Sequence, residues 1–343
     1  MTPMRVIALL GLSALSAASV ICAAAAEDVP PPWAYGFSDP PPRENATGAL
    51  ASAVAPNNSG GSAPAPDTRL RSVPGSPLQF TSAQIRDRYG PADWFPQDHP
   101  PMPEIVARGK APNIMACALC HYPNGKGRPE NASVSGLPVP YFIEQLHSFR
   151  SGARKSADPR KSNTNLMIAA AQAMTDEEIK AAAEYFGSMK WTPWIRVVET
   201  ESVPKTRISG GMFLPIEGGG QEPLGQRIVE VPEDVESVEV LRNPRVGFVA
   251  YVPVGSVMKG KTLVTTGAGK TETCATCHGA DLNGKDAVPG IAGRSPSYLV
   301  RQMFDMKVGT RKGETAELMK PVVSKLDTQD MLAIAAYVAS LDP

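Results

Sequence analysis

Two pentapeptides with the pattern Cys-x-x-Cys-His constrain the fold of this chain more than any other feature. They are Cys117-Ala-Leu-Cys120-His121 and Cys274-Ala-Thr-Cys277-His278. This pattern is the attachment signature of a c-type haem, in which both thiols bond to the haem and the adjacent histidine binds the iron. Two copies predict two covalently bound haem c groups, each enclosed by its own part of the chain.

Two other kinds of site use a Cys-x-x-Cys pair. One is a thioredoxin-type redox couple, and the other is a zinc site, for which the two motifs together would supply four thiolates. Neither explains why His121 and His278 directly follow the second cysteine of each motif. Neither explains the methionines that lie at matching positions downstream. The sequence therefore favours haem attachment.

The first residues are typical of an export signal. Arg5 precedes an apolar run over residues 6–26 that ends in three alanines, which predicts a cleaved signal peptide over residues 1–26. Cys22 lies inside this segment and follows Ile21, which does not favour a lipoprotein. No later stretch is long and apolar enough to span a bilayer, so we expect no transmembrane segment after signal cleavage. The predicted location is the bacterial periplasm.

Composition narrows the possible partners. The chain has 34 basic and 34 acidic residues, and this balance gives no support for nucleic acid binding. The four cysteines beyond the signal peptide all belong to the two motifs, so none remains for a structural disulfide. Each motif is followed by a group of basic residues, which suggests either solvated loops or a surface that steers acidic redox proteins. These residues are Arg150, Arg154, Lys155, Arg160, Lys161, Lys307, Arg311 and Lys312.

The region between the signal peptide and the first motif divides at about residue 77. Residues 27–77 are rich in Pro, Ala, Gly and Ser, and this composition predicts an extended or disordered segment. Trp33, Tyr35 and Phe37 interrupt it. These aromatic residues suggest either local packing onto the folded body or a docking segment for a partner.

An internal repeat defines two further units, residues 78–190 (the first half) and 257–343 (the second half). Apolar residues with helical spacing recur at the same distance from each motif: Phe142, Leu146 and Phe149 in one half, and Leu299, Met303 and Met306 in the other. A terminal helix follows in each half, with a capping box predicted at Thr175 and a cap at Asp327. Each half is therefore predicted to be mainly helical.

Residues 191–256 (the middle segment) differ from both halves. Strand composition at residues 228–231, 238–241 and 247–252, separated by prolines and glycines, predicts a β-rich interdomain segment. This segment is either a small β-rich module or an arm that packs across both haem domains.

Methionine is the expected sixth ligand of each iron, because thioether sulfur raises the reduction potential of an electron carrier. Met303, Met306 and Met331 fall on apolar helix stripes and are interpreted as core residues. Met319 is predicted to lie in a loop before the terminal helix, and the repeat pairs it with Met167. Met174 is a rival, but its repeat partner is Leu326. We therefore predict that His121 with Met167, and His278 with Met319, bind the two irons.

The two other histidines, His99 and His147, have no counterparts in the repeat. His99 is interpreted as a loop residue, and His147 as a packed or surface residue.

Both halves resemble class I cytochrome c domains, over about residues 100–190 and 257–343. The tandem arrangement is similar to the dihaem cytochromes c4 and to cytochrome subunits of periplasmic dehydrogenases. The segment Pro289-Gly-Ile-Ala-Gly293 resembles the family segment whose proline carbonyl accepts a hydrogen bond from the proximal imidazole, which would orient His278. The first half departs from this pattern, with Ala132 in the aligned position.

The predicted fold is mainly α, with two cytochrome c-like haem domains joined by a β-rich segment punctuated by proline and glycine. The predicted function is single-electron transfer between a donor, a dehydrogenase or a quinol-oxidising complex, and an acceptor, an oxidase or a small cytochrome. The alternative is a haem enzyme such as a dihaem peroxidase, or an electron-accepting subunit of a substrate-oxidising complex. A methionine in both halves argues against catalysis at either haem, so we predict an electron carrier rather than an enzyme.

Overall fold

The computed structural model describes residues 29–41 and 67–343, so the predicted signal peptide lies outside the described residues. The described helices are α1 (Pro32–Tyr35), α2 (Ser82–Ile85), α3 (Glu104–Ala107), α4 (Cys117–His121), α5 (Val139–Ser151), α6 (Ser162–Ala173), α7 (Asp176–Gly187), α8 (Val235–Glu239), α9 (Ser256–Thr266), α10 (Ala275–His278), α11 (Pro296–Lys307), α12 (Glu314–Val323) and α13 (Thr328–Ala339). The described strands are β1 (Ile195–Glu199), β2 (Ser202–Pro204), β3 (Thr206–Ser209), β4 (Met212–Pro215), β5 (Gln221–Pro223), β6 (Val229–Pro232), β7 (Phe248–Val252), β8 (Gly284–Lys285) and β9 (Val288–Pro289). None of these helices has the length and apolar character needed to cross a membrane.

The first half is built around the helices α5, α6 and α7. The predicted capping box is confirmed: the Thr175 hydroxyl accepts from the Glu178 amide, and the Glu178 carboxylate accepts from the Thr175 amide. This pair starts α7 and satisfies two amide groups that the helix leaves free. The apolar stripe of α7 is buried against Phe142 of α5, so the two helices share one core.

The second half repeats this arrangement, with α11 and α13 in place of α5 and α7. Asp327 caps α13 by accepting from the Asp330 amide at 2.8 Å. The helix α9 crosses α13 at Gly260, where an added Cβ would collide with the Ala333 carbonyl oxygen. Only glycine allows the two backbones to approach this closely.

The middle segment contacts both halves. Its sheet has the order β1-β7-β6, with β1 and β7 parallel and β6 and β7 antiparallel. Buried residues of this sheet belong to the same core as α11 and α13. On the other side, the Trp94 indole of the first half donates to the Leu241 carbonyl at 2.7 Å.

One strand prediction for the middle segment is wrong. Residues 238–241 end the helix α8 and the turn after it, rather than forming a strand. Asp234 provides the physical reason, because its carboxylate accepts from the Ser237 amide at 2.6 Å and starts the helix. The apolar side chains of Val238 and Leu241 are buried all the same.

Residues 29–41 (the N-terminal segment) do not follow the prediction of an extended or disordered region. They contain the helix α1, and Trp33 and Tyr35 are buried in the core of the second half. The Arg160 guanidinium stacks on the Phe37 ring, 4.1 Å from its centroid. The aromatic residues thus pack locally onto the folded body. Residues 42–66 of the same predicted region lie outside the described residues.

Candidate haem sites

The first motif forms the short helix α4, which presents its cysteines and its histidine to an internal cavity. The Nδ1 atom of His121 lies 2.8 Å from the Ala132 carbonyl oxygen. Because a carbonyl only accepts hydrogen bonds, Nδ1 carries the proton and Nε2 keeps a lone pair available to a metal ion. Burial raises the pKa of the Cys117 thiol to about 12.

The second motif is held in the same way. His278 ends α10, and its Nδ1 atom lies 2.8 Å from the Pro289 carbonyl oxygen. In both halves the accepting carbonyl lies eleven residues after the histidine, so Ala132 supplies the contact that Pro289 supplies in the second half. Burial lowers the pKa of both imidazoles, which favours the neutral form that binds metals.

One cavity of about 590 Å³ contacts both motifs. Its walls come from both halves, and its lining is mostly apolar side chains of α5, α6, α11 and α12. The lining methionines are Met115, Met167, Met174, Met303, Met306 and Met319. The two sites predicted from the sequence are therefore continuous with each other in space.

Met319 does not lie in a loop as predicted. It lies within α12, which also contains Pro321, and the repeat partner Met167 lies within α6. Acidic residues in the first turn of α12 favour the helix, because they complement the positive end of its dipole. Both methionines are half-buried on the cavity wall, whereas the rival Met174 is buried in the apolar core of the first half.

The two remaining histidines lie away from the cavity wall. His99 contacts the Asp93 carboxylate at 3.1 Å and the Pro100 carbonyl at 2.8 Å. The side chain of His147 is 47% exposed and lies 3.4 Å from Asp176. Their positions agree with the interpretation of His99 as a loop residue and His147 as a surface residue.

Positive charge is concentrated inside the cavity. Among the described residues, five buried cations line it: Arg154, Lys161, Arg294, Arg301 and Arg311. The buried carboxylates on the same wall are those of Glu130 and Asp305. Within the described part of the chain, Lys161 Nζ and Arg311 Nε have no hydrogen-bond partner. Because each haem carries two propionates, this surplus of buried donors and positive charge fits two haems.

These buried cations were not recognised from the sequence. Arg154, Lys161 and Arg311 belong to the basic residues interpreted as solvated or steering loops, but all three are buried at the cavity. The repeat itself carries a signal for their burial, because Arg154 and Arg311 occupy matching positions in the two halves. A charged residue at matching positions in both repeats indicates a role in the shared structure, whereas a charged residue in only one loop indicates a solvated surface.

Two covalent haem sites in tandem helical units define a dihaem c-type cytochrome. The cytochrome c family matches residues 106–190 and 257–342. Cytochrome c-554(548) from Halomonas halodenitrificans is 39% identical over 75 residues, which cover 22% of this chain and 90% of that protein. The chain belongs to the cytochrome c family, with one domain of the family in each half.

Two further similarities cover about two thirds of this chain. The thiosulfate dehydrogenase electron acceptor of Stutzerimonas stutzeri is 24% identical over 242 residues, which cover 69% of this chain and 85% of that protein. The crystal structure of reduced recombinant cytochrome c4 from Pseudomonas stutzeri is 18% identical and has a TM-score of 0.42, covering 66% of this chain and 93% of that one.

Proposed function

We propose that this protein is a periplasmic dihaem cytochrome that carries single electrons from a dehydrogenase to a downstream acceptor. His121 and Met167 bind one iron, and His278 and Met319 bind the other. The observation that carries this proposal is the single cavity that both motifs line. Two haems held by these motifs would share one enclosed space, which favours electron transfer between them within the molecule.

The haem supplies the chemistry, which is the interconversion of ferric and ferrous iron. The chain supplies the surroundings. Its cysteines anchor each group, the carbonyls of Ala132 and Pro289 orient the proximal imidazoles, and the apolar walls exclude water. Lys161 Nζ and Arg311 Nε, which have no hydrogen-bond partner among the described residues, would hold the propionates and lower the cost of burying their charge.

Complete axial ligation supports a carrier rather than an enzyme. With a histidine and a methionine on each iron, no position remains open for peroxide or another substrate. The methionine sulfur also favours the ferrous state relative to a second histidine. The protein therefore passes electrons on and does not transform a substrate itself.

The donor we propose is a thiosulfate-oxidising dehydrogenase. The similarity to the thiosulfate dehydrogenase electron acceptor of Stutzerimonas stutzeri supports this choice, because it covers 69% of this chain, which is more than one haem domain. A second protein with the same description, from Thiomonas intermedia, is 23% identical over 232 residues.

Two measurements test the proposal. The visible spectrum of the reduced holoprotein, recorded with and without carbon monoxide, is expected to show two haems per chain that do not bind the gas. Stopped-flow mixing with a thiosulfate dehydrogenase and thiosulfate is expected to reduce both haems within the turnover time of the enzyme. Rapid binding of carbon monoxide would contradict the carrier function. Reduction by a quinol-oxidising complex but not by the dehydrogenase would contradict the proposed donor alone.

A further inference from the structure

Arg294 connects parts of the chain that belong to different haem sites. It lies just before α11 in the second half and is 4% exposed. Its guanidinium lies over the Trp191 ring, 4.8 Å from the centroid. Three of its nitrogen atoms donate to backbone carbonyls: Nε to Gly290 at 2.7 Å, Nη1 to Ser133 at 3.0 Å and Nη2 to Ser135 at 3.2 Å.

Two of these carbonyls, those of Gly290 and Ser133, lie directly beside the two groups that orient the proximal histidines. Gly290 follows Pro289, whose carbonyl accepts from His278. Ser133 follows Ala132, whose carbonyl accepts from His121. One guanidinium therefore holds both accepting loops, each at a position one residue from the accepting carbonyl.

The repeat does not duplicate this residue. The position that matches Arg294 in the first half is Leu137, so the arginine of the second half serves both loops. A planar guanidinium suits this role, because its donors have a fixed geometry and remain protonated. A lysine side chain would carry the same charge but would lack the planar set of N–H donors that a guanidinium has.

The charge of Arg294 is not balanced by a carboxylate in hydrogen-bond contact, since its three contacts are to neutral carbonyls. Burial lowers its pKa to about 10, which leaves the guanidinium charged at neutral pH. A buried positive charge near an iron favours the ferrous state, because reduction removes one positive charge from the iron.

We propose that Arg294 is a positioning residue for both haems: it fixes the loops that orient His121 and His278 and raises the reduction potential of both irons. This inference rests on the proximal ligation proposed above. It goes further, because it assigns one residue of the second half to the control of the first haem.

The test compares Arg294→Gln and Arg294→Lys with the control Arg245→Gln. Arg245 also links the middle segment to the first half, through Asp98 at 2.6 Å, but its side chain is 42% exposed and it contacts neither accepting loop. Spectroelectrochemical titration of each holoprotein gives the two midpoint potentials. Proton NMR of the ferric forms gives the hyperfine-shifted haem methyl resonances, which report the orientation of the axial ligands.

Arg294→Gln is expected to lower both potentials, so that the ratio of ferrous to ferric iron at a fixed ambient potential falls about threefold or more for each haem. Arg294→Lys is expected to shift the methyl resonances of both haems while changing the potentials less than Arg294→Gln. The control is expected to change neither. A response confined to the second haem, or unchanged methyl resonances in Arg294→Lys, would overturn the inference.

The spectrum of the unmodified protein keeps this test separate from the proposed function. Carbon monoxide binding by the unmodified protein would contradict the carrier function and leave the Arg294 comparison measurable. If Arg294→Gln does not accumulate with two haems, Arg294→Lys decides the question alone through its methyl resonances.

Discussion

Arg154 and Arg311 pair through their backbones as an antiparallel bridge across the boundary between the two halves. The flanking hydrogen bonds, from Lys155 to Thr310 and from Lys312 to Ala153, are both 2.8 Å long. The side chains also cross the boundary, since Arg154 donates to Gln302 at 2.8 Å and Arg311 donates to Gln145 at 2.9 Å. The same residue types from each half thus fix the relative placement of the two haem sites.

Loss of one of these arginines is expected to destabilise the protein. Arg311 donates to Tyr141, Gln145 and Gln302 at 2.9 Å each. Arg154 also donates to both glutamines, so Arg311→Ala would remove one charge-assisted hydrogen bond from each glutamine and the donor from the Tyr141 hydroxyl. We expect the free energy of unfolding to fall by about 2–4 kcal/mol. Guanidinium chloride unfolding of the holoprotein, followed by haem absorbance, measures the change. Lys312→Ala, one residue away and exposed, should change it by less than about 0.5 kcal/mol. Equal effects of the two substitutions would contradict this prediction.

Removal of either proposed methionine ligand is expected to open one iron. Met167→Ala and Met319→Ala should each give one haem that binds carbon monoxide and has a lower reduction potential, because the thioether is lost. Absorbance spectra of the reduced proteins measure both effects. Met174→Leu and Met306→Leu are matched controls, since both residues line the cavity and are buried in the cores. Carbon monoxide binding by Met174→Leu, but not by Met167→Ala, would assign the ligand to the rival residue.

Features that depend on local sequence could be predicted before the structure. The haem motifs follow a fixed spacing, and the capping box at Thr175 needs only residues three positions apart. The buried stripes of α5 and α11 follow helical periodicity, so Phe142 and Met303 were correctly placed in the core.

Features that depend on distant contacts could not be predicted in this way. The Tyr35 hydroxyl donates to Asp305 at 2.7 Å, a contact between residues 270 positions apart. The proline-rich composition around Tyr35 gave no sign of this burial. Arg154 and Arg311 have the sequence context of solvated loops, and only their placement beside the cavity explains why they are buried. A buried charge requires a partner, and that partner lies elsewhere in the chain or is the haem itself.

The close crossing of α9 and α13 gives a second stability prediction. In Gly260→Ala the new methyl group would collide with the Ala333 carbonyl, which is backbone and cannot move aside as a flexible side chain can. We expect the helices to separate and the free energy of unfolding to fall by about 1–3 kcal/mol. Thermal and denaturant unfolding of the holoprotein measure this loss. Lys261→Ala, on the exposed face of the same helix, should leave stability almost unchanged. A Gly260→Ala variant as stable as the unmodified protein would mean that the helices do not approach so closely.

The last prediction concerns Asp305, which lines the cavity and connects the N-terminal segment to α11. Its carboxylate accepts from the Tyr35 hydroxyl at 2.7 Å and from the Ala157 amide at 2.8 Å. Burial raises its pKa to about 6, although these hydrogen bonds and the nearby Arg301 favour the charged form. The group therefore loses its proton in the folded protein between about pH 5 and pH 7.

Deprotonation of Asp305 places a negative charge at the cavity wall, and this charge favours ferric iron. We expect the potential of the second haem to fall as the pH rises through about 6, and to level off above about pH 7.5. The expected fall is a few tens of millivolts, because a unit charge at the cavity wall contributes on the order of 1 kcal/mol. Since the folded pKa lies above the unfolded value, the group's contribution to stability is complete below about pH 4 and is lost as the pH rises through about 6.

Spectroelectrochemical titrations from pH 5 to pH 8 separate Asp305 from other titrating groups. Asp305→Asn keeps the shape and removes the ionisation, so the fall of the second potential around pH 6 should disappear. Glu317→Gln, on the exposed surface of α12, should retain it. Because Tyr35 donates to the charged carboxylate, Tyr35→Phe should move the midpoint of the fall to higher pH. If Asp305→Asn keeps the same pH dependence, the titrating group is not Asp305, and a haem propionate becomes the group to examine.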